Sequence, residues 1–454
     1  MLCEGGCLVV NPGKKLLQNT ALLTISSIVM RCIALLFQIW IAGRIGSAGV
    51  GLFQLVMSVD VLASTVAISG IRFATTRLVS EEVGLDRPGG VGQIMRRCTG
   101  YSLFFGIAAM LILLLCAEPI GFLWVGDART VLSLQLCSLG MPPLALSSVI
   151  AGYFTAMGRV CKTAAAQLAE QLLRIALVML FLAQTPPWDL EKCCACVVAG
   201  GVAADWLGLV LLSFLYAADW RRHGKKGVFS PHLTPRMLRI ALPLALSAYA
   251  RTSLSTFQQL LVPRGLRSAG LSADSALSGY GIIQGMVFPI ISFPSCLLQA
   301  LAELLVPALT EAQVSGRSRQ IRAMVRKLLR RCALFSLTAG LILFFAAEPL
   351  GMLVYHSHEA GRYIRLFAPL VPILYMDIIT DGCLKGLGQM MRSMAYNIAE
   401  AMLGILLVLS LLPRYALTGY IAVLYVCELF NFSLSMHRLY TVALKAFDST
   451  RGQE

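Results

Sequence analysis

The stretch AEPIGFL at residues 117–123 recurs as AEPLGML at residues 347–353, an offset of 230 positions. A charged residue followed by proline and glycine is a rare string in a chain that is 57% hydrophobic and 13% charged. The same offset aligns other residues on both sides without a gap: Pro142 with Pro372, Gly152 with Gly382, Gly158 with Gly388, Glu170 with Glu400, and GLFQ at 51–54 with GIIQ at 281–284. The chain is therefore interpreted as a tandem duplication.

The first helix of each copy aligns at a slightly smaller offset. Shifting by 220 positions pairs Arg31 with Arg251 and Gln38 with Gln258. The duplication predicts two domains, a first half over residues 1–228 and a second half over residues 229–454.

Composition indicates a membrane protein, because a soluble domain has about 25% charged residues and this chain has 13%. Apolar stretches of about 20 residues, long enough to cross a bilayer, recur throughout the sequence. The predicted spans are residues 20–41, 50–68, 99–117, 131–156, 163–183, 194–216, 238–262, 277–298, 331–347, 363–384, 394–412 and 417–438. The predicted fold is an all-α polytopic membrane protein of about twelve helices in two pseudo-symmetric six-helix lobes.

The net charge of +15 alternates along the chain. The odd-numbered connections carry few cations, whereas the N-terminal tail and the even-numbered connections carry most of them. Short basic loops stay cytoplasmic, which predicts a multi-pass protein of the cell membrane with both termini inside. No basic run is interleaved with aromatic residues that could stack on bases, so nucleic acid is not an expected partner.

An even number of helices per copy gives both halves the same orientation, and such parallel repeats hold the substrate path between them. Glu118 and Glu348 then occupy equivalent outer helix ends, where proline and glycine are expected to stop the helix. Three glycines and two prolines make the eighth span breakable and suggest a moving gate: Gly279, Gly281, Gly285, Pro289 and Pro294.

Arginine is costly inside a bilayer and usually faces a partner or a watery cavity. Arg31 and Arg251 lie near the middle of the first span of each half, with Gln38 and Gln258 seven residues on. A pair of guanidinium groups suits phosphate, so these four residues are candidate ligands of an anionic phosphate or diphosphate. The alternative is that neighbouring carbonyls and acids satisfy both arginines.

Several acidic residues also lie within predicted spans. Glu170 and Arg174 are spaced i, i+4 and are expected to pair on one helix face, whereas Gly404 stands where the second copy would need that arginine. Glu400 is therefore the better candidate for a coupling site. Asp60 and Asp377 join Glu400, Glu170 and Arg174 as coupling candidates; the alternative for each acid is a hydrogen-bonded packing role.

Three motifs resemble the stage V sporulation protein B group of the multidrug/oligosaccharidyl-lipid/polysaccharide (MOP) exporter superfamily. They are SGIRFATTRLVSEE at 69–82, AAQLAEQLLRIALV at 165–178 and GYGIIQGMVFPIISFPSCLLQALAELLVPALTEA at 279–312. The resemblance implies two six-helix lobes in a V that opens alternately to either side. It further implies outward movement of a polyprenyl-diphosphate-linked glycan.

In lipid II flippases of this superfamily, arginines of the central cavity and of helix eight engage the diphosphate. Carried over, Arg31 fits the first-helix position. The eighth span has no arginine here, so Arg251 on the seventh would substitute. Arg72 stands where the sporulation group usually has proline and joins the substrate-binding candidates.

The predicted function is that of a flippase for a lipid-linked oligosaccharide or peptidoglycan precursor, serving cell-wall or spore-cortex synthesis. No cofactor and no metal site are expected, and the coupling ion, sodium or proton, stays open. Expected partners are the lipid-linked glycan, membrane lipids and cell-wall synthesis proteins. The alternative within the fold is a cation-coupled multidrug exporter.

Two other classes remain open. A membrane glycosyltransferase or ligase, the enzymatic alternative, usually needs a sizeable outer loop with acids or histidines, and YHSHEAGRY at 355–363 is the histidine-bearing candidate. A non-transporting scaffold is the other. The chain is predicted not to be an enzyme.

Overall fold

The computed structural model describes residues 12–84, 90–186, 189–223 and 233–445, and every regular element in these ranges is helical. The first half comprises α1 Pro12–Ile68, α2 Ile71–Gly84, α3 Val91–Pro119, α4 Val131–Ser138, α5 Met141–Ala156, α6 Val160–Ala183 and α7 Leu190–His223. The second half comprises α8 Leu233–Ser268, α9 Ala273–Gly281, α10 Phe288–Ser292, α11 Ser295–Val314, α12 Ser318–Tyr355, α13 His358–Phe367, α14 Val371–Gly386 and α15 Met390–Leu439. Short π-helical turns follow α3, α9 and α15, at Ile120–Val125, Ile282–Val287 and Tyr440–Lys445.

The described residues contain nine helices long and apolar enough to cross a membrane, or ten if the bent pair Ala128–Ser138 and Met141–Ala156 is one span. The 57 residues of α1 would extend about 85 Å, far more than a bilayer core of about 30 Å. Backbone breaks at Gly46 (φ 71°) in α1 and at Ala416 (φ 49°) in α15 divide these helices. The number of long helices therefore does not fix the number of crossings, and twelve crossings stays a prediction.

The duplication is visible in the backbone. Gly126 and His356, 230 positions apart, are both left-handed, with φ of 73° and 50°. The following residues, Asp127 and Ser357, both cap the next helix by accepting a backbone N–H bond. These matching conformations are what the tandem repeat predicts at equivalent positions. The predicted boundary between residues 228 and 229 lies outside the described residues.

The predicted helix stops at the repeated proline were right only in part. In the first copy the α-helical pattern changes at Pro119 into the π turn, but in the second α12 continues through Pro349 to Tyr355. A proline removes one N–H donor, which weakens or kinks a helix locally, whereas a left-handed residue takes the backbone out of the helical conformation and caps the helix. The helical rotation therefore ends at Gly126 and at His356 instead.

The predicted break in the eighth span is confirmed. A π turn at Ile282–Val287 and a gap between Ser292 and Ser295 interrupt the helix. The first half is also interrupted, but at a different position and with a different conformation, because left-handed Ser69 (φ 47°) and Gly70 (φ 70°) separate α1 from α2. The polar extension α2 beyond this interruption was not among the predicted spans.

The two halves meet most closely where α1 crosses α9. A Cβ atom on Gly51 would lie 2.1 Å from the carbonyl oxygen of Leu277, and one on Gly281 would lie 2.1 Å from that of Ser47. Ser47 and Ser278 share a hydrogen bond of 2.6 Å at the same crossing. Since Gly51 and Gly281 are equivalent in the repeat, the reciprocal contacts place the pseudo-twofold axis between them.

Candidate functional site

A cavity of about 410 Å³ lies within the first half, between α1, α6 and α7. Its walls combine apolar side chains such as Phe37 and Val198 with a set of polar ones. The polar residues that line it are Gln38, Gln54, Asp60, Gln171, Arg174 and Asp205. A largely apolar cleft with a few convergent polar groups is the usual form of a binding site.

Arg174 joins two carboxylates at the cavity wall. Its Nη2 lies 2.6 Å from Asp205 Oδ1 and 3.3 Å from Glu170 Oε1, so the predicted Glu170–Arg174 pair is confirmed and Asp205 is an additional partner. Gly208 makes room for the acid, because a Cβ there would lie 2.6 Å from Glu170 Oε2. The guanidinium is thereby held between α6 and α7, where it partly offsets the cost of both acids.

Gln38 connects this cavity to the second half. Its Nε2 donates to the carbonyl oxygen of Gly285 at 3.0 Å, within the π turn after α9. Gly285 packs tightly there, since a Cβ atom would lie 2.0 Å from Val50 Cγ1. In this conformation the predicted ligand Gln38 thus serves as a contact between the halves.

A second polar cluster lies in the second half, on α14 and α15. Asn431 Nδ2 donates to Asp377 Oδ2 at 3.3 Å and to Asn397 Oδ1 at 3.2 Å. Glu400 and Glu428 are close enough to Asp377 for their charges to interact. The Oδ1 atom of Asp377 is buried without a hydrogen-bond partner. The cluster therefore has a buried hydrogen-bond acceptor that no described donor satisfies.

The two clusters differ in their cations. Within the described residues Glu400 makes no hydrogen bond or ion pair, as predicted, and the nearby Lys385 is paired with Asp381 at 2.5 Å. Gly404 stands where the first copy has Arg174, and a Cβ on it would lie 2.3 Å from Gln258 Nε2. The amide of Gln258 thus packs against α15 in the space that a larger side chain at 404 would need.

The three arginines predicted to bind substrate are exposed: Arg31 on α1, Arg72 on α2 and Arg251 on α8. None of them forms a hydrogen bond through its guanidinium, or an ion pair, with the described part of the chain, and none lines the cavity around Arg174. Their guanidinium groups are free for a ligand. Their joint action on one anion stays a prediction.

An ionic cluster, here called the outer clasp, joins the halves beside the end of α3. It consists of Asp127, Arg129, Arg267 and Asp274. Arg129 Nη2 lies 2.8 Å from Asp127 Oδ2 and 2.9 Å from Asp274 Oδ1, and Arg267 Nη1 donates to the carbonyl oxygen of Gly126 at 2.6 Å. Burial raises the pKa of Asp127, but the hydrogen bonds from Arg129 outweigh it and hold the pKa below its ordinary value of 3.8.

Sequence reasoning missed the outer clasp, since its members fall in loops and helix ends far apart in the chain. A second inter-half contact joins Glu81 of α2 to Arg236 of α8. Towards the other end of α2, the hydroxyls of Ser69 and Tyr249 are hydrogen-bonded. The halves therefore touch at both ends of the seam as well as at the glycine crossing.

Comparisons with known proteins match nearly the whole chain. A sequence profile of the family described as "Polysaccharide biosynthesis protein" matches residues 16–313, and one described as "MatE" matches residues 266–409. Stage V sporulation protein B of Bacillus subtilis (strain 168) is 24% identical over 410 residues, covering 89% of this chain and 79% of that protein.

Two further proteins are similar over most of their length. The lipid II flippase MurJ of Bacillus subtilis (strain 168) is 21% identical over 408 residues, covering 83% of this chain and 73% of MurJ. A solved structure described as the inward-facing conformation of a multidrug resistance MATE family transporter of the MOP superfamily aligns with a TM-score of 0.67 at 13% identity, covering 92% of this chain and 98% of that one. That likeness shows the fold.

Proposed function

This chain belongs to the polysaccharide biosynthesis protein family of the MOP superfamily, and from that membership we propose that it flips a polyprenyl-diphosphate-linked glycan across the cell membrane. The cargo is an oligosaccharide or a peptidoglycan precursor such as lipid II, moved outward by alternating access. The similarity to a stage V sporulation protein and to a lipid II flippase supports cell-wall or spore-cortex synthesis as the setting. Non-covalent transport needs no catalytic residue in this scheme.

The observation that carries the choice of cargo is the pair of free arginines on the first helix of each half. Arg31 and Arg251 are exposed on long helices without a protein partner among the described residues. An uncompensated arginine at bilayer depth is costly, so an anion that binds both of them would recover that cost. A diphosphate offers the charge and the oxygen geometry that guanidinium groups prefer.

We assign energy coupling to the carboxylates of the second half. Asp377, Glu400 and Glu428 share a cluster in which, within the described residues, none of the three forms an ion pair with an arginine or lysine, and one oxygen of Asp377 has no hydrogen-bond partner. Such a cluster suits a proton or a sodium ion better than the first-half cluster does, because there Arg174 already supplies a cation. Binding and release of that ion would bias which side the halves open to.

The second candidate is a cation-coupled multidrug exporter. The match of a MatE profile to residues 266–409 and the largely apolar cavity beside Asp60 favour it. Organic cations suit acidic, aromatic cavities, whereas a cargo bound by Arg31 must be anionic. The charge of the transported molecule therefore separates the two candidates.

The test is transport by the purified protein in proteoliposomes, with fluorescent lipid II translocation and ethidium efflux measured side by side. We expect the protein to translocate lipid II and not to export ethidium. Each charge-assisted contact contributes about 1.5–3 kcal/mol, so Arg31→Ala should reduce lipid II affinity at least about tenfold. Arg31→Lys keeps the charge but loses the planar fork and should retain part of the activity.

The matched control is Arg44→Ala, which removes an exposed arginine from the same helix. It should leave lipid II translocation near the wild-type rate. If Arg31→Ala protein flips lipid II as fast as wild type, the arginine pair does not bind the cargo. Ethidium efflux without lipid II movement would place the multidrug exporter first.

A further inference from the structure

A crevice of about 590 Å³ opens between α3 of the first half and the start of α8 of the second. It is separate from the cavity around Arg174. Its lining includes two arginines, two uncharged polar residues and several aromatic and aliphatic side chains: Arg96, Arg97, Gln93, Thr234, Tyr101, Phe104, Met237 and Leu238. The crevice is therefore amphipathic along its length.

The polar end carries two uncommitted cations. Arg96 and Arg97 are exposed, and neither makes a hydrogen bond or ion pair through its side chain with the described residues. Arg236, next to the crevice wall, is by contrast bound to Glu81. Two arginines that line one crevice and have no carboxylate partner among the described residues suit a phosphate-bearing group.

The apolar end lies deeper along the same helix. Phe104 is seven residues beyond Arg97, or about 10 Å along α3, and it is 68% exposed, while Leu238 opposite is 39% exposed. Tyr101 between them is fixed, because its hydroxyl donates to the carbonyl oxygen of Ser69 at 3.2 Å. In a membrane helix, exposed apolar side chains of this kind face hydrocarbon chains.

The order of charged and then apolar side chains along α3 matches the order of headgroups and hydrocarbon chains in a bilayer. The sequence predicts that residues 77–97 belong to a basic cytoplasmic connection and that the span begins near residue 99. Arg96 and Arg97 then lie at the level of the lipid headgroups, and Phe104 lies within the hydrocarbon region. A lipid standing beside α3 would present its phosphate and its chains at the matching depths.

We propose that this crevice binds an anionic phospholipid of the surrounding bilayer, with its phosphate on Arg96 and Arg97 and its chains along Phe104 and Leu238. The volume lies within the range of about 300–1,000 Å³ typical of small-molecule sites. The lipid touches both halves, so its binding depends on how they are arranged. The site stands independently of the cargo, because it is a lateral crevice that neither Arg31 nor Arg251 lines.

The charge of the site is tested on the full-length purified protein by native mass spectrometry, during titration with phosphatidylglycerol or phosphatidylcholine. We expect tighter binding of phosphatidylglycerol, and at least a tenfold loss in Arg96→Gln/Arg97→Gln protein. The control Arg326→Gln/Lys327→Gln removes the same charge from exposed positions on α12 and should bind as wild type does. Equal binding in both double variants overturns the proposal.

The shape of the site is tested without altering any charge. Gly100 also lines the crevice, and a Cβ atom there meets nothing within 4 Å, so Gly100→Leu adds bulk to the crevice from a Cβ atom that stands in open space. This variant should lose phosphatidylglycerol, whereas Gly43→Leu, at another glycine with nothing within 4 Å, should retain it. Unchanged binding in Gly100→Leu, or displacement of the lipid by soluble glycerol 3-phosphate alone, contradicts a site that holds the chains.

Discussion

Adding one methyl group at Gly51 should force the two halves apart at their crossing. An alanine Cβ at this position would lie 2.1 Å from the carbonyl oxygen of Leu277. In real proteins a Cβ atom essentially never lies closer than 3.0 Å to a neighbouring non-bonded heavy atom. The helices α1 and α9 must therefore separate by about 1 Å or rotate. The obstructing atom is a backbone oxygen, so no change of side-chain rotamer can relieve the contact.

Overpacking of this kind costs about 1–3 kcal/mol, which corresponds to a shift of about 5- to 150-fold between the closed crossing and an opened one. Gly281→Ala should have a similar effect, because its Cβ would lie 2.1 Å from the carbonyl oxygen of Ser47. The two substitutions act on one contact from opposite sides, so their combined effect should not be additive.

Disulfide trapping measures this shift directly. The hydroxyl oxygens of Ser47 and Ser278 are 2.6 Å apart, so Ser47→Cys/Ser278→Cys should cross-link efficiently on oxidation, as read by mass spectrometry of the joined peptide. Adding Gly51→Ala should lower the cross-linked fraction. Gly43→Ala, at a position with open space around Cβ, is the control that should leave the yield unchanged. A yield that Gly51→Ala does not alter would refute the reasoning.

Three further outcomes are expected. Glu400→Gln should impair transport more than Glu118→Gln, because only Glu400 lies in the second-half acid cluster; equal, wild-type rates in proteoliposomes would remove Glu400 from coupling. In intact cells, membrane-impermeant reagents should label His358→Cys but not Arg319→Cys, and labelling of the latter would contradict the predicted topology. Hydrogen bonds hold the pKa of Asp127 below 3.8, so the stability it contributes is full above that pH and lost below it. The Tm difference between wild type and Asp127→Asn should therefore be constant from about pH 8 to about pH 5 and shrink in stronger acid.

The repeat made several local features predictable. An offset read from AEP at residues 117 and 347 aligned Gly158 with Gly388, and both adopt φ near 70°. The pairing of Glu170 with Arg174 followed from helical spacing alone and is present at 3.3 Å. Contacts within one helix, or between equivalent positions of two copies, leave a direct trace in sequence.

Contacts between distant helices left no such trace. Asp205 is 31 residues from Arg174 yet is its nearer partner, at 2.6 Å, because α6 and α7 are adjacent antiparallel helices. The glycine shared by GLFQ and GIIQ was visible as a repeat. The sequence did not show that Gly51 and Gly281 each pack against the helix that carries the other. The extension α2 was missed for another reason: its polar sequence lacks the hydropathy on which the spans were predicted.

The unequal acid clusters limit how the two halves could be exchanged. Fusion of a duplicated gene lets each copy keep the shared shape while losing a different side chain, and here one copy has arginine at position 174 where the other has Gly404. A chimera built from two first halves would carry Arg174 and its two carboxylate partners on both sides of the axis. A chimera of two second halves would carry the acid cluster of the second half on both sides of the axis, with glycine at both positions equivalent to Arg174. Only the mixed pairing combines one polar centre built around an arginine with one whose acids, within the described residues, form no ion pair with an arginine or lysine.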